Sequence, residues 1–289
     1  MKHQIHYYRK KEELYPEKIQ HLSDAPEGIY VIGNLPDPKK PSVAIVGARR
    51  CSPYGRQQAL SFARTLSANG VQIISGLARG VDGYSHRGAL EGGTATFAVM
   101  GCGLDHCYPA EHEKLRDEIV AKGGGIISEY PICTPPLRAY FPQRNRIISA
   151  LADLVLVVEA KEKSGSLITA DCALEQGKTV YAVPGRVGDA LSRGCNYLIA
   201  QGAGIAWSVE CILQELHIDR EKGGKEEEKI SLATDLNLVY SVLDLTPKTM
   251  DQLAAELHLS IPTLTGMLLQ LEMDGYIEAF GTNSFVRRK

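Results

Sequence analysis

The stretch Arg138-Ala139-Tyr140-Phe141-Pro142-Gln143-Arg144-Asn145-Arg146 gathers three arginines, two aromatic rings and an asparagine. That mixture suits a single-stranded polyanion, because guanidinium forks pair with phosphates while a ring stacks on a base. The same residues have a structural use too, with Phe141 in the core and the arginines paired to Glu129, Glu159 or Asp153; the sequence leaves both open. Four turns elsewhere have the composition of anion cradles. The first is Gly47-Ala48-Arg49-Arg50-Cys51-Ser52-Pro53-Tyr54-Gly55, and the second is Ser75-Gly76-Leu77-Ala78-Arg79-Gly80. The third is Gly101-Cys102-Gly103, and the fourth is Ser164-Gly165-Ser166-Leu167-Ile168-Thr169. Glycine lets a phosphate approach the backbone, and a helix N-terminus offers it free N–H groups. Tight turns also use glycine for geometry alone. Four of them on one edge point to an anion-binding rim, with Ser52 in its first turn.

Other chemistries find less support. Asp82 and His86 stand four apart on a helix with Ser75 nearby, but the G-x-S-x-G elbow of a serine hydrolase is absent. They read as a polar pair on one helix face. Cys102, His106, Cys107 and His112 fit no standard zinc spacing, so no metal is expected. No G-x-G-x-x-G follows the first strand, and Ser75-Gly76 supplies no acid for a ribose. Gly177-Lys178-Thr179 resembles the tail of a phosphate-binding loop, but Cys172 stands where its first glycine belongs. It also follows a helix and precedes a strand, so Gly177 reads as a residue just past a helix end. No cofactor is expected.

The elements that would position these residues alternate. Apolar runs at 42–47, 71–75, 94–100, 125–128, 153–160 and 179–183 read as strands. Helical patterns separate most of them, near 55–69, 80–91, 111–122, 143–151 and 166–176. The runs are nearly continuously apolar, as suits strands covered on both faces. Alternation of this kind predicts an α/β fold, a Rossmann-like, doubly wound and mostly parallel sheet. Its ligands belong at the carboxyl ends of the strands, where all four turns fall. Residues 41–207 form this domain, after a short N-terminal extension at 1–40. A polar stretch at 208–229 reads as a linker. Residues 230–289 follow as three helices and a hairpin, the pattern of a small winged-helix (helix-turn-helix) domain.

Composition bounds the function. With 289 residues, two domains are the natural count. Apolar residues make up 44% and charged residues 23%, ordinary values for a soluble globular protein. No apolar run is long enough to span a membrane, and the N-terminus lacks the apolar segment of a secretory signal. The seven cysteines form no C-x-x-C pair, which suits a reducing, cytoplasmic setting. The net charge of −2 argues against a nucleic-acid partner until it is divided. Residues 41–207 carry 17 bases against 14 acids, and 12 of those bases are arginine. The acidic surplus lies behind them, in residues 208–289.

Taken together, GARRCSPYG (47–55), SGLARGVDGYSH (75–86), GCGLDHCYP (101–109), FPQRNRIIS (141–149), SGSLITADCAL (164–174) and AVPG (182–185) resemble the bacterial DprA/Smf family. The tail resembles the winged-helix domain that ends many members. The resemblance implies a protein without catalytic activity that binds single-stranded DNA and dimerises through its Rossmann-like domain. It also implies a role in protecting incoming DNA and loading the recombinase RecA during natural transformation. By motif, DNA contacts would fall on Arg49, Ser52, Gly76, Gly101, Gly103, Arg138, Phe141, Arg144, Asn145, Arg146, Ser164, Gly165 and Ser166. Many members carry a helical domain ahead of the sheet, and the residues before Ser42 are too few for it.

The alternative is a nucleotide phosphoribohydrolase of similar fold. Its P-G-G-x-G-T-x-x-E loop would correspond to residues 164–172, where Cys172 replaces the catalytic glutamate. The tail departs from duplex readers. Residues 261–276 contain no Lys or Arg and carry Glu272 and Asp274, so a protein contact is expected there in place of duplex DNA.

Overall fold

A computed structural model describes residues 4–218, 234–281 and 283–288. Strands β3 (Ser42–Val46), β4 (Gln72–Ser75), β5 (Thr96–Met100), β6 (Gly125–Ser128), β7 (Leu154–Val157), β8 (Thr179–Ala182) and β9 (Gly204–Ile205) pair in parallel. Every residue of β3, β4, β5, β6 and β7 is buried, so their runs do not alternate. Alternate side chains enter two separate layers. Ala44, Val46, Ile74, Val155 and Val157 pack with Ile147 and Ile148 of α5 (Tyr140–Leu151) and Ala170 and Ala173 of α6 (Gly165–Glu175). Val43, Ile45, Ile73, Leu154 and Leu156 pack with Ala59, Phe62 and Leu66 of α2 (Pro53–Ala68).

The N-terminal residues are not an appendage, as the expected 1–40 extension would have them. Strands β1 (Ile5–Arg9) and β2 (Gly28–Gly33) join the sheet antiparallel, beside β6. Between them α1 (Glu17–Gln20) places the fully buried Ile19 in the main core. β1 is an edge strand in which His6, Tyr7 and Arg9 are exposed and only Ile5 and Tyr8 are partly buried, so its apolar signal is weak. The nine strands therefore run β1-β2-β6-β5-β4-β3-β7-β8-β9. The order reverses at β3, so the switch point lies between β3 and β7, outside their carboxyl ends.

The expected linker also begins too early. Residues 209–215 form α8 (Val209–Glu215), which buries Ile212 and Leu213 in the same layer as α2. The polar remainder at 219–229 lies outside the described residues. Helix α7 (Arg193–Ala200) was not anticipated either; it buries Cys195 and Leu198. Helix α3 (Val81–Gly92) follows the second turn, and α4 (Glu113–Ala121) precedes β6. Helix α5 starts earlier than its apolar periodicity suggested. Pro142 fits there because the first turn of a helix leaves its N–H groups unused.

A second compact unit holds α9 (Thr234–Val242), β10 (Lys248–Thr249), α10 (Met250–Leu257), α11 (Ile261–Met273), β11 (Ile277–Ala279) and β12 (Ser284–Arg287). Val239, Leu253, Leu264, Leu268 and Leu271 form its core. Thr249 and Gln252 build a capping box at the start of α10, and Ser260 caps α11. The three strands order as β10-β12-β11, the wing of a winged helix.

Candidate nucleic-acid interface

Two kinds of residue meet at the carboxyl edge: those that face solvent and those that hold the edge together. Arg49 is exposed, and its guanidinium lies 5.2 Å from the centre of the Phe141 ring. Phe141 is half-buried, so the core reading of this ring fails. Its other neighbour is Tyr108, with ring centres 5.4 Å apart and Tyr108 44% exposed. Arg138 lies exposed in the turn just ahead of α5, three residues before Phe141, with no ion-pair partner among the described residues. A second ring pair, Tyr130 and Tyr140, stacks at 4.3 Å where β6 ends. Arginine over an aromatic face, beside a second partly exposed ring, is a surface on which bases stack and phosphates pair.

The Arg144-Asn145-Arg146 run does something else. Arg144 is only 3% exposed. Its guanidinium donates to the Gly76 carbonyl at 2.8 Å and to the Val99 carbonyl, tying the ends of β4 and β5 to α5. Burial pulls its pKa down to about 10, partly offset by Asp82, so it stays charged at neutral pH. Asn145 is also buried and donates from Nδ2 to the Gly165 carbonyl at 3.1 Å, fixing the fourth turn. Arg146 forks onto Glu129 at 2.7 and 2.8 Å and donates to Asp24 at 2.7 Å. These three side chains, expected on DNA, are engaged within the protein, at the edge that carries Phe141. Successive residues on a helix point about 100° apart, so each reaches a different neighbour.

The turns are not empty cradles either. Ser52 donates its N–H (2.9 Å) and its hydroxyl (2.5 Å) to the carboxylate of Glu159, which follows β7. In the second turn, Gly76 and Ala78 donate N–H groups to Asp82 at 3.1 and 3.4 Å. Leu77 holds a left-handed φ of 54°, and its carbonyl accepts from His112 Nδ1. Asp82 and His86 are therefore not a pair: His86 Nδ1 meets Thr96 Oγ1 at 2.8 Å. Burial raises the pKa values of Asp82 and Glu159 and lowers that of His86 to about 3.

The glycines have packing duties. A Cβ on Gly76 would lie 2.4 Å from the Arg144 guanidinium, and one on Gly101 would lie 3.1 Å from the Phe141 ring. Gly103 donates its N–H to the Thr134 carbonyl, and a Cβ there would strike Asp105 and Pro131. In the fourth turn Ser164 caps α6 by accepting from Ser166 N–H, and the two hydroxyls share a 2.8 Å hydrogen bond. Gly165 alone opens onto free space. Lys161 and Lys163 lie exposed beside it.

Tyr108 and Glu159 were missed from sequence. Tyr108 lay in the GCGLDHCYP run, yet nothing in the spacing placed its ring against one some thirty residues on. Cys172, where the hydrolase reading needs a glutamate, is a half-buried thiol whose pKa burial pushes up. His112 and His106 meet Leu77 and Asp105 separately, and no group of metal-ligating side chains occurs among the described residues.

The family described as DNA recombination-mediator protein A matches residues 6–217, and the DprA winged helix domain matches residues 224–280. Protein Smf of Escherichia coli is 38% identical over 276 residues, covering 92% of this chain and 73% of its own. DNA processing protein DprA of Streptococcus pneumoniae is 42% identical over 204 residues, covering 71% and 72%. The crystal structure of that S. pneumoniae protein has a TM-score of 0.69 at 40% identity, over 75% of each chain. A Helicobacter pylori DprA structure, titled for its single-stranded DNA binding mode, has a TM-score of 0.66 at 32% identity, over 75% and 97%. The two family models match in chain order, the first over residues 6–217, so this chain belongs to the DNA recombination-mediator protein A family.

Proposed function

We propose that the chain binds single-stranded DNA along the carboxyl edge of its sheet and does so without turnover. The observation that carries this is the cluster of exposed Arg49 and Tyr108 on half-buried Phe141, flanked by Arg138 on one side and the Gly165 turn with Lys161 and Lys163 on the other. The cluster offers stacking faces and phosphate partners but no acid–base pair. The H. pylori relative's title points the same way. In this reading Arg49, Arg138, Phe141 and the turn at Ser164, Gly165 and Ser166 touch DNA. Ser52, Gly76, Gly101, Gly103, Arg144, Asn145 and Arg146 hold them in place.

In the cytosol this binding would protect incoming DNA and help load RecA during natural transformation. A homodimer through the Rossmann-like unit fits the exposed Ile168 and Leu174 on α6 and Tyr197 on α7. In the winged unit, α11 carries no base and exposes Leu269 and Met273, which favours a protein contact over duplex DNA. The deciding experiment titrates single-stranded against duplex oligonucleotides at two salt concentrations, with Arg49→Ala beside the wild type. Preference for the single strand, a steep fall with salt and a shallower fall in the variant are expected. Equal binding of both forms by both proteins would refute the assignment.

A further inference from the structure

The ligand crevice of a doubly wound sheet lies at its switch point, and here that crevice already holds an anion. Glu159 leaves β7 and turns its carboxylate onto the N-terminus of α2, across the β3–β7 junction. It accepts from Ser52 N–H and Ser52 Oγ, and Ser52 Oγ in turn accepts from the Gly55 N–H at 3.1 Å. These are donors of the kind a phosphate would use: a backbone amide at a helix start and a cap hydroxyl. The fit depends on the neighbouring residue type, because a Cβ on Gly55 would stand 2.2 Å from Glu159 Oε2. Glu159 is 5% exposed.

We propose that Glu159 is a built-in anion that closes the switch-point crevice to free phosphate and mononucleotides. The edge then accepts only a polymer held by exposed side chains such as Arg49. Coulomb repulsion and occupied donors both act against a second anion there. Asp82 does the same for the adjoining turn, taking the N–H groups of Gly76 and Ala78. This inference rests on the single-stranded DNA reading of the edge, and it supplies what makes that edge specific for a chain over a monomer.

The test uses full-length wild type, Glu159→Ala, Glu159→Ser, Ser52→Ala and the Glu159→Ala/Ser52→Ala double variant. Inorganic phosphate and AMP are titrated by ³¹P line broadening and thermal shift against sodium chloride of equal ionic strength. A single-stranded oligonucleotide is titrated in parallel. Glu159→Ala should bind AMP about tenfold or more tighter than wild type, since freed charge-assisted donors are worth at least that factor. The double variant should lose the gain, because Ser52 supplies one of the freed donors. Wild-type AMP binding that Ser52→Ala abolishes would overturn the proposal, as would folded Glu159 variants that gain none. Should neither Glu159 variant fold, the wild-type titration decides: absence of AMP binding supports the plug, and Ser52-dependent binding refutes it. Failure of the DNA reading would appear separately, as loss of oligonucleotide binding by the wild type.

Discussion

Arg144 and Arg49 are both arginines of the carboxyl edge, and removing each should do different things. Arg144→Ala strips two backbone carbonyls of a charged donor inside the core and leaves the buried Asp82 without its nearby cation. Hydrogen bonds to charged groups contribute about 1.5–3 kcal/mol, and removing one partner from a buried charged cluster costs about 3–5 kcal/mol. Arg144 and Asp82 interact without a direct ion pair, so about 3 kcal/mol is the expected loss. For a unit of this size that lowers the melting temperature by about 6–12 °C. Arg49 is exposed and lies over the Phe141 ring, so Arg49→Ala should leave melting within about a degree. Its effect should fall on DNA, with a weaker affinity and a salt slope reduced by about 0.7 for one lost phosphate. Thermal melts and fluorescence anisotropy with a labelled oligonucleotide at two salt concentrations read both quantities. If Arg144→Ala melted like wild type and still lost salt-dependent affinity, Arg144 would be a phosphate contact and the positioning argument would be wrong.

Phe141→Ala should weaken oligonucleotide binding by about 1–3 kcal/mol with an unchanged salt slope, because stacking releases no counterions; anisotropy at two salts separates the two. Gly101→Ala should weaken binding too, since its methyl would press on the Phe141 ring at 3.1 Å, and a normal titration would show that the ring's seat is not needed. The buried His86 has a folded pKa of about 3 against 6.5 in the open chain, so it resists protonation when folded. Its contribution to stability is therefore intact above pH 6.5 and falls as pH drops below it, by about 2 kcal/mol at pH 5. Urea unfolding at pH 7 and pH 5 should show a smaller drop for His86→Gln than for wild type. Met273→Glu, on the exposed face of α11, should leave binding of both DNA forms unchanged; a clear loss of duplex binding would return α11 to DNA.

The candidate site was legible in part. Glycine-rich turns after apolar runs located the carboxyl edge, because strand ends in such a fold are where helices begin. The roles within that edge were not legible. Arg144, Asn145 and Arg146 are adjacent in the chain, yet their partners lie 68, 20 and 122 positions away. Composition marks an arginine as able to grip a phosphate or a carbonyl, and only a neighbour brought from elsewhere decides between them. The cradles were misjudged for the same reason: Glu159 stands 107 positions beyond the serine it binds.

What the sequence determined by itself was therefore local and periodic. Unbroken apolar runs specified buried parallel strands, and the spacing between them left room for covering helices. A stretch without apolar residues at 219–229 separated two units, and the arginine bias of the first unit outweighed a misleading net charge. Tertiary structure decided which charges face water. It turned Arg49, Arg138 and the rings of Phe141 and Tyr108 outward, and buried Arg144 on the Gly76 and Val99 carbonyls, Asp82 on the Gly76 and Ala78 N–H groups and Glu159 on Ser52. The physical reason is that burying a charge demands satisfied partners in three dimensions, and those partners are set by the sheet order, not by nearness along the chain.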